Sequence, residues 1–299
     1  MDAAGLTEFE LHRPRLFALA YRMFGSASEA EDAVQETYLR WESSRRDEIR
    51  SAEAWLTTIL VNICRNWLDS ARARRETYVG PWLPEPVHTA HGELGPLESA
   101  EQREMVSLAF LALMERLAPA ERAVFVLREA FGYAHREIAD MLDLTEANSQ
   151  QLYRRAALRV REDRPRFEPA PAHTRELLEK FLVAAASGDV PALENLFVAD
   201  IVSVADGGTK IKAARRAVVG AAKVANYLVH LFSHDIMRVP DLAVAVENVN
   251  GAPAIVVRGG GGVLGIVGVD FSGDRVAALQ LVVNPDKLDY FARAEKAVA

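Results

Sequence analysis

The sequence contains one cysteine, Cys64, among its 299 residues. A single thiol excludes an intramolecular disulfide and any cysteine-rich zinc site. Long apolar runs are also missing, because no stretch approaches the roughly 18 consecutive apolar residues that a membrane-spanning helix needs. The first residues form neither a basic nor an apolar segment, so we expect no secretory signal. These absences predict a cytoplasmic protein with no membrane insertion, no metal site and no cofactor.

Lysine is absent from the first half of the chain. All six lysines follow residue 172, so every cation before that point is an arginine, and the whole chain carries a net charge of -7. Two segments depart from this acidic balance: residues 62–75 hold four arginines and one acid, and residues 149–164 hold five arginines and two acids. Residues 26–39, in contrast, hold four acids and no cation. Basic segments on an acidic chain indicate a polyanionic partner, with solvated helix faces as the alternative.

Hydrophobic periodicity divides the chain into three segments. A helical pattern covers about residues 9–75, with apolar residues three and four apart and Ser28 as a predicted helix cap. The pattern resumes from about residue 97 to 164, after a stretch rich in proline and glycine. The third segment begins with amphipathic helices and turns to Val- and Ile-rich strands from Leu242 onward. Helices followed by an antiparallel run of strands predict an α+β domain.

The sharpest local pattern is a pair of helices joined by a tight turn. His135–Leu142 is the first predicted helix, and Glu146–Arg161 is the second. The small side chain of Ala139 allows the two helices to cross closely. The second helix is expected to expose groups near its start that suit phosphates and base edges in a major groove. These are Ser149, Gln150, Tyr153 and Arg154. An ordinary αα-hairpin is the alternative interpretation.

Four motifs in the helical segments are specific enough to indicate a family. Residues 117–132 read LAPAERAVFVLREAFG, and EIA follows at 137–139. Upstream, residues 20–26 read AYRMFGS, residues 31–37 read EDAVQET and residues 54–59 read AWLTTI. In this order and spacing they resemble region 4 and region 2 of bacterial sigma factors of the extracytoplasmic-function (ECF) type. The resemblance implies a multidomain protein with two all-α sigma domains: a region 2 helical bundle at residues 1–76 and a region 4 with its helix-turn-helix at 97–165, joined by a Pro/Gly-rich linker at 77–96.

The same resemblance implies an alternative sigma factor that directs RNA polymerase core to promoter DNA. An acidic helix would dock on the clamp helices of core polymerase through Asp32, Gln35 and Glu36. A second helix would open and read the −10 element through Asn62, Arg65, Asn66 and Arg72. The −35 element would be contacted by Ser149, Gln150, Tyr153 and Arg154, with Gln150 standing where an arginine is common. For Asn62, a surface amide without a binding role is the alternative.

Residues 173–299 follow a short linker at 166–172 and resemble a SnoaL-like (NTF2-like) domain, an α+β cone with a curved sheet around a pocket. Three short motifs resemble the hallmarks of a SigJ-like subgroup that carries this extension. The first, in the linker, is Trp82, Leu83, Pro84, Glu85 and Pro86. The second is Asp206, Gly207, Gly208 and Lys210, with Thr209 where a third glycine is usual. The third is Asn284, Pro285, Asp286, Lys287 and Leu288. We expect Trp82 to be buried against the domain near the other two motifs, so that the domain modulates the sigma factor.

Other interpretations of the third segment stay open. Some SnoaL-like proteins are cyclases or isomerases that use a carboxylate or a histidine in an apolar pocket. Asp206, His230, His234 and Asp235 could supply such groups. The domain could instead bind a small-molecule ligand as a sensor, and an anti-sigma partner is equally open. Gly259–Gly262 lacks the lysine of a phosphate-binding loop and is expected to join two strands. His88 and His91 lack the further ligands of a metal site. A stand-alone helix-turn-helix regulator is disfavoured, since it would not need region 2.

Overall fold

In a computed structural model the chain folds into two compact units. The first unit consists of Met1–Thr77 and Thr89–Arg164, and the second consists of Tyr78–His88 and Pro165–Ala299. The structure describes residues 3–92, 94–95, 97, 100–163, 171–233 and 238–298. Among these residues, no helix combines the length and the hydropathy that crossing a membrane requires. The predicted linker at 77–96 is therefore divided, because most of its first half packs with the C-terminal unit.

The first unit is all-helical in the part that the structure describes, as the sequence predicts. Its elements are α1 (Ala3–Phe24), α2 (Ala27–Glu42), α3 (Ala52–Glu76), α4 (Ala100–Glu104), α5 (Leu108–Met114), α6 (Pro119–Glu129), α7 (His135–Leu142) and α8 (Glu146–Asp163).

The N-cap of helix α2 lies two residues before the predicted one. The Ser26 hydroxyl accepts a hydrogen bond from the amide of Glu29 at 3.1 Å, so Ser26 is the N-cap residue. The prediction of Ser28 as the cap is wrong. Gly25 has a φ of 64° and ends α1 immediately before this cap, which a residue with a Cβ does less readily. Only Gly25 and Ser26 therefore lie between the two helices. Ala27 and Ala30 are buried on the inner face of α2.

The helix-turn-helix prediction is confirmed by α7 and α8. Asp143 follows α7 with a φ of 55°, the left-handed conformation that commonly ends helices. The amide of Leu144 then donates to the Ala139 carbonyl at 2.9 Å. The hydroxyl of Thr145 accepts from the Asn148 amide at 3.2 Å and caps the start of α8. Local sequence thus specifies both the end of the first helix and the start of the second.

The second unit is an α+β domain, as expected. Its helices are α9 (Pro171–Ser187), α10 (Val190–Leu196), α11 (Ala221–Leu231) and α12 (Pro285–Val298). Its strands are β1 (Phe197–Asp206), β2 (Val218–Val219), β3 (Ala243–Val249), β4 (Ala252–Gly259), β5 (Gly262–Ser272) and β6 (Arg275–Val282), which form one sheet in the order β2-β1-β6-β5-β4-β3.

The sheet is mixed rather than wholly antiparallel. Strands β3 to β6 form the expected antiparallel run, but β1 pairs with β6 in parallel. The sequence patterns did not predict β1, β2 or α12. Gly260 and Gly261, with φ values of 57° and 83°, make the tight turn between β4 and β5. This confirms that the glycine tract joins two strands.

The two faces of the sheet bury different sets of side chains. One face packs against α9, α10 and α11 through an apolar core that includes Phe181, Leu228, Leu279 and Leu281. The opposite face carries a cross-strand row of four residues that are fully buried: Asp206, Val282, Ile266 and Val256. A carboxylate therefore lies at the end of an apolar row, where it needs partners that compensate for the loss of water.

Candidate functional site

The acidic face of α2 is available to a partner. Asp32 and Gln35 are exposed, and Glu36 is half-exposed and accepts a hydrogen bond from Arg40 at 3.0 Å. An exposed ion pair of this kind stabilises little, so it does not prevent Glu36 from changing partners. Leu39 lies on the same helix and is 51% exposed. This apolar residue beside the acidic groups was missed in the sequence, although its spacing from Asp32 and Gln35 places it on their face.

Helix α3 contacts the helix-turn-helix through two of the residues predicted to read DNA. Asn62 donates to the carbonyl of Thr58 at 2.9 Å and to the carbonyl of Met141 at 3.0 Å. Arg65 donates to the carbonyl of Leu142 at 2.8 Å. Both acceptors belong to the last turn of α7, where carbonyls lack partners within the helix and favour a nearby cation. The donors proposed for promoter DNA are therefore engaged with the first helix of the helix-turn-helix.

The structure describes the side chain of one of the other two predicted −10 residues. Asn66 is exposed on α3. The side chain of Arg72 lies outside the described residues. Arg75, at the end of the same basic segment, faces inward and donates to the Phe24 carbonyl at 2.7 Å. Residues 62–75 thus include both exposed side chains and side chains that stabilise the fold. The net charge of the segment could not tell one kind from the other.

Glu115 joins the two helical halves of the first unit. Its carboxylate accepts hydrogen bonds from Arg75 and from Arg122, the latter at 2.6 Å. Arg122 is 3% exposed and also donates to the Met23 carbonyl at 2.8 Å. Burial lowers the pKa of Arg122, and the charge of Glu115 opposes that effect. This buried ion cluster was not predicted, because its members are distant in sequence.

Ser149 is not exposed on the recognition helix α8. It is fully buried, and its hydroxyl lies 3.0 Å from Nδ1 of His135 on α7. The expectation that α8 exposes Ser149 is wrong. The reason is periodicity: Ser149 lies on the same stripe as Ala156 and Val160, which are buried. Extending that stripe two turns from Ala156 toward the helix start would have identified it.

The remaining predicted −35 residues differ in how freely they face solvent. Arg154 is exposed, whereas Gln150 and Tyr153 are partly buried. The Tyr153 hydroxyl donates to Glu129 at 2.6 Å, and this bond together with burial raises the pKa of Tyr153 to about 12. The exposed stripe of α8 includes Gln151, Arg155 and Leu158 beside Arg154. Gln151 and Arg155 were missed, although they are four residues apart and suit phosphates and base edges.

The linker motif and the two C-terminal motifs meet at one buried carboxylate. Asp206 accepts hydrogen bonds from the Tyr78 hydroxyl at 2.5 Å, from the Leu83 amide at 2.8 Å and from the Gly208 amide at 3.2 Å. Its ion pair with Lys287 measures 2.6 Å. Lys287 also donates to the Leu83 carbonyl. Burial and the bond to Asp206 raise the pKa of Tyr78. We call Asp206, Tyr78, Leu83 and Lys287 the Asp206 cluster.

The geometry explains why the second motif has glycine at positions 207 and 208. It also explains why position 209, where a third glycine is usual, can hold a threonine. A Cβ on Gly207 would lie 2.4 Å from the Ile211 carbonyl oxygen. Gly208 has a φ of 56°, and a Cβ there would lie 2.7 Å from the Asn284 amide nitrogen. Asn284 in turn donates to the Tyr78 hydroxyl at 2.8 Å. Thr209 is exposed and is not among the positive-φ residues, so its side chain is accommodated without strain.

Leu83, not Trp82, is the buried apolar residue of the linker. Leu83 is 3% exposed, whereas Trp82 is only partly buried. The Lys287 ammonium lies 4.1 Å from the centre of the Trp82 ring, an arrangement that favours the cation. The prediction of a buried indole is therefore wrong, although the linker does contact the two motifs. Of the other motif residues, Pro84, Glu85, Pro86 and Leu288 are buried, while Pro285 and Asp286 are exposed.

The end of the linker joins the edge of the sheet. The Val87 amide donates to the Asn250 side chain at 2.9 Å, and the Asn250 amide donates back to the Val87 carbonyl at 3.0 Å. His88 forms an antiparallel bridge with Val249. The His88 ring stacks on Phe291 of α12 with centroids 3.5 Å apart. Residues 78–88 of the linker are therefore held by backbone pairing as well as by the Asp206 cluster.

The residues considered for catalysis do not converge in the described part of the chain. Asp206 is occupied by the linker, and His230 is exposed on α11. His234 and Asp235 lie outside the described residues, as does the His91 side chain. Within the described ranges, no group of three or more metal-ligating side chains is present.

Comparison with known proteins gives the family. Residues 9–74 match Sigma-70 region 2, and residues 107–160 match Sigma-70, region 4. The chain is 35% identical to "ECF RNA polymerase sigma factor SigJ" of Mycobacterium tuberculosis, over 94% of this chain and 92% of that protein. The chain belongs to the ECF sigma factors.

Two further relatives support this assignment. A probable ECF sigma factor, SigI of Mycobacterium tuberculosis, is 28% identical over 93% of this chain and 92% of that protein. The crystal structure of Mycobacterium tuberculosis SigJ matches with a TM-score of 0.71 and 30% identity, covering 95% of this chain and 98% of that one. These matches extend beyond regions 2 and 4, so the C-terminal domain is shared. The predicted family and its function as an alternative sigma factor for RNA polymerase are confirmed.

We expect Asp206→Asn to release the linker, because it leaves the Lys287 ammonium buried without its counter-charge. Removing one partner of a buried ion pair costs about 3–5 kcal/mol. Hydrogen exchange at the Leu83 amide should accelerate at least tenfold, about 1.4 kcal/mol. Asp200→Asn is the matched control, since Asp200 is exposed on the same strand. Equal Leu83 exchange in both variants would contradict the role of the Asp206 cluster.

Proposed function

We propose that this sigma factor binds RNA polymerase core through the acidic face of α2, reads the −10 element with α3 and reads the −35 element with α8. The core-binding residues are Asp32, Gln35 and Glu36. The −10 residues are Asn62, Arg65, Asn66 and Arg72. The −35 residues are Gln150, Gln151, Tyr153, Arg154 and Arg155, with Ser149 supporting the helix from inside. The observation that carries this proposal is the match to both sigma regions within a full-length relative. The protein acts in the cytoplasm, where its polymerase partner is.

The contact between α3 and α7 makes promoter binding a competition. Asn62 and Arg65 use their donors on the Met141 and Leu142 carbonyls, so DNA must replace these acceptors. A phosphate or a base edge offers an acceptor of equal or greater strength. Replacing the α7 carbonyls by DNA acceptors therefore leaves the number of hydrogen bonds nearly unchanged. It does require regions 2 and 4 to separate.

The C-terminal domain modulates transcription by holding the linker. Residues 78–88 form the larger part of the linker between region 2 and region 4, and the Asp206 cluster fixes them on the SnoaL-like domain. Complete burial of a leucine such as Leu83 contributes about 2 kcal/mol, which is enough to bias a linker between held and free forms. A free linker would let the two DNA-reading regions take other separations. The domain is thereby regulatory rather than catalytic, since its buried carboxylate already has its full set of partners.

Charge reversal tests the polymerase-binding surface. Asp32→Arg combined with Glu36→Arg should weaken binding to purified core polymerase at least tenfold, because like charges would meet across the interface. Run-off transcription from a cognate promoter should fall in parallel. Glu8→Arg combined with Glu10→Arg changes the charge equally on exposed positions of α1 and should leave core binding intact. Undiminished core affinity in the first variant would exclude this surface.

Removing the Asn62 amide should separate promoter melting from duplex binding. Asn62→Ala loses a donor proposed to act on an unstacked base, so permanganate reactivity of the −10 thymines should fall severalfold with holoenzyme. Affinity for the closed duplex should stay the same or rise, since the bond to the Met141 carbonyl is also lost. Ser70→Ala, an exposed change on the same helix, is the control. Normal melting by Asn62→Ala would make this residue purely structural.

Loosening the linker should change transcription without changing −35 recognition. Leu83→Ala removes the buried anchor and should shift run-off yield by more than about threefold, in the same direction as removal of residues 285–299. Trp82→Ala should act more weakly, because its ring is only partly buried. Val79→Ala, at a linker residue that is 40% exposed, serves as the control. If all these variants transcribe equally, the SnoaL-like domain does not act through the linker.

A further inference from the structure

A cationic surface on the SnoaL-like domain has no role in the sites described so far. Between Gly207 and Lys223 the sequence contains five cations and no acid: Lys210, Lys212, Arg215, Arg216 and Lys223. Residues 173–299 as a whole hold 13 cations and 14 acids, so the positive charge is concentrated in this one segment. We call Lys212, Arg215, Arg216 and Lys223 the basic patch.

The basic patch is free to bind an anion. Its four side chains belong to exposed residues. None of them has an acidic partner within 4.0 Å in the part of the chain that the structure describes, whereas the neighbouring Lys210 pairs with Asp286. Five like charges on one short segment repel one another, and the nearly neutral domain around them does not explain their concentration. The charge therefore favours a polyanionic partner.

The backbone of this segment is fixed at both ends, so the charges are held before any partner arrives. The Ile211 amide donates to the Gly207 carbonyl at 3.1 Å, and Gly220 donates to Ile201 of β1 at 2.9 Å. Val218 and Val219 pair with β1 between these points. Lys223 lies in the first turn of α11, where the helix dipole disfavours a cation. A bound anion would offset that unfavourable placement.

The basic patch also lies beside the linker. A Cβ on Gly80 would be 3.7 Å from the Cα of Arg215, which places the linker backbone against the patch. Both residues belong to the second unit, so the patch and the linker are neighbours within one compact unit.

We infer that the basic patch binds the phosphate backbone of promoter-flanking duplex DNA. The inference rests on the proposed DNA-binding function of this sigma factor and adds a third DNA contact, made by the SnoaL-like domain. Duplex DNA carries one negative charge per about 1.7 Å of its axis, so it offers phosphates to every cation of a short exposed segment. The patch has neither aromatic nor amide side chains among its cations, so it reads charge and not sequence.

The test is a neutralised variant of the full-length chain, Lys212→Gln with Arg215→Gln and Arg216→Gln. The probe is a fluorescein-labelled duplex of mixed sequence, followed by anisotropy over a range of salt concentrations. We expect affinity at about 0.1 M salt to fall at least about tenfold and the slope of log K against log salt to shrink by roughly two to three. Arg275→Gln with Arg293→Gln and Lys296→Gln makes the same charge change on exposed residues elsewhere in the domain and should alter affinity by less than about twofold.

Two further arms separate the outcomes. Arg154→Gln with Arg155→Gln, on the recognition helix, should weaken DNA binding whether or not the basic patch contributes, so its effect reports on the proposed function alone. Vesicles containing phosphatidylglycerol test a membrane surface as the anion. The inference is overturned if the patch variant binds DNA like the matched control, or if it loses vesicle binding while DNA binding is unchanged. Lys223→Gln alone, with a smaller effect in the same direction, would support it if the triple variant folds poorly.

Discussion

The position of the linker depends on one buried carboxylate. Asp206 ends strand β1 within an apolar cross-strand row, and its oxygens accept from Tyr78, Leu83 and Lys287. A buried charge is tolerated only when such partners replace water. Each of the three motifs supplies a partner: the linker gives a backbone amide, the glycine turn gives another, and α12 gives an ammonium. Because no motif is satisfied without the others, the linker has one well-defined place on the SnoaL-like domain.

In the first unit, a second cluster of charged side chains also joins elements that are distant in sequence. Glu115 accepts from Arg75 and Arg122, and so joins the end of α3 to α6. Nearer the middle of α3, Asn62 and Arg65 satisfy the last carbonyls of α7. The two arrangements differ in strength. Glu115 pairs with a buried arginine, Arg122, and such a pair is costly to break, whereas Asn62 and Arg65 are only partly buried. Of the contacts that join regions 2 and 4, those of Asn62 and Arg65 are therefore the more easily exchanged.

Much of the local structure could be predicted from sequence, and little of the long-range pairing could. The helix-turn-helix bounds follow from periodicity and from a turn with one left-handed residue, Asp143. Ser149 was misplaced because its stripe was not followed back to the helix start. In the linker, Trp82 and Leu83 are adjacent and both apolar, so only the three-dimensional location of Lys287 decides which one is buried. Strand β1 and helix α12 were missed for a related reason. The strand that β1 pairs with and the linker residues that α12 contacts lie far away in sequence.

The pairing of the linker with the C-terminus has a consequence for the newly made chain. Leu83 and Lys287 are separated by 204 residues, which synthesis at about 5–20 residues per second covers in roughly 10–40 s. During this interval regions 2 and 4 are already made, but the surface of the SnoaL-like domain that binds the linker is still incomplete. Each nascent molecule therefore passes through a period in which both sigma regions exist and their connection is unrestrained. The restraint is completed only after both sigma regions have been made.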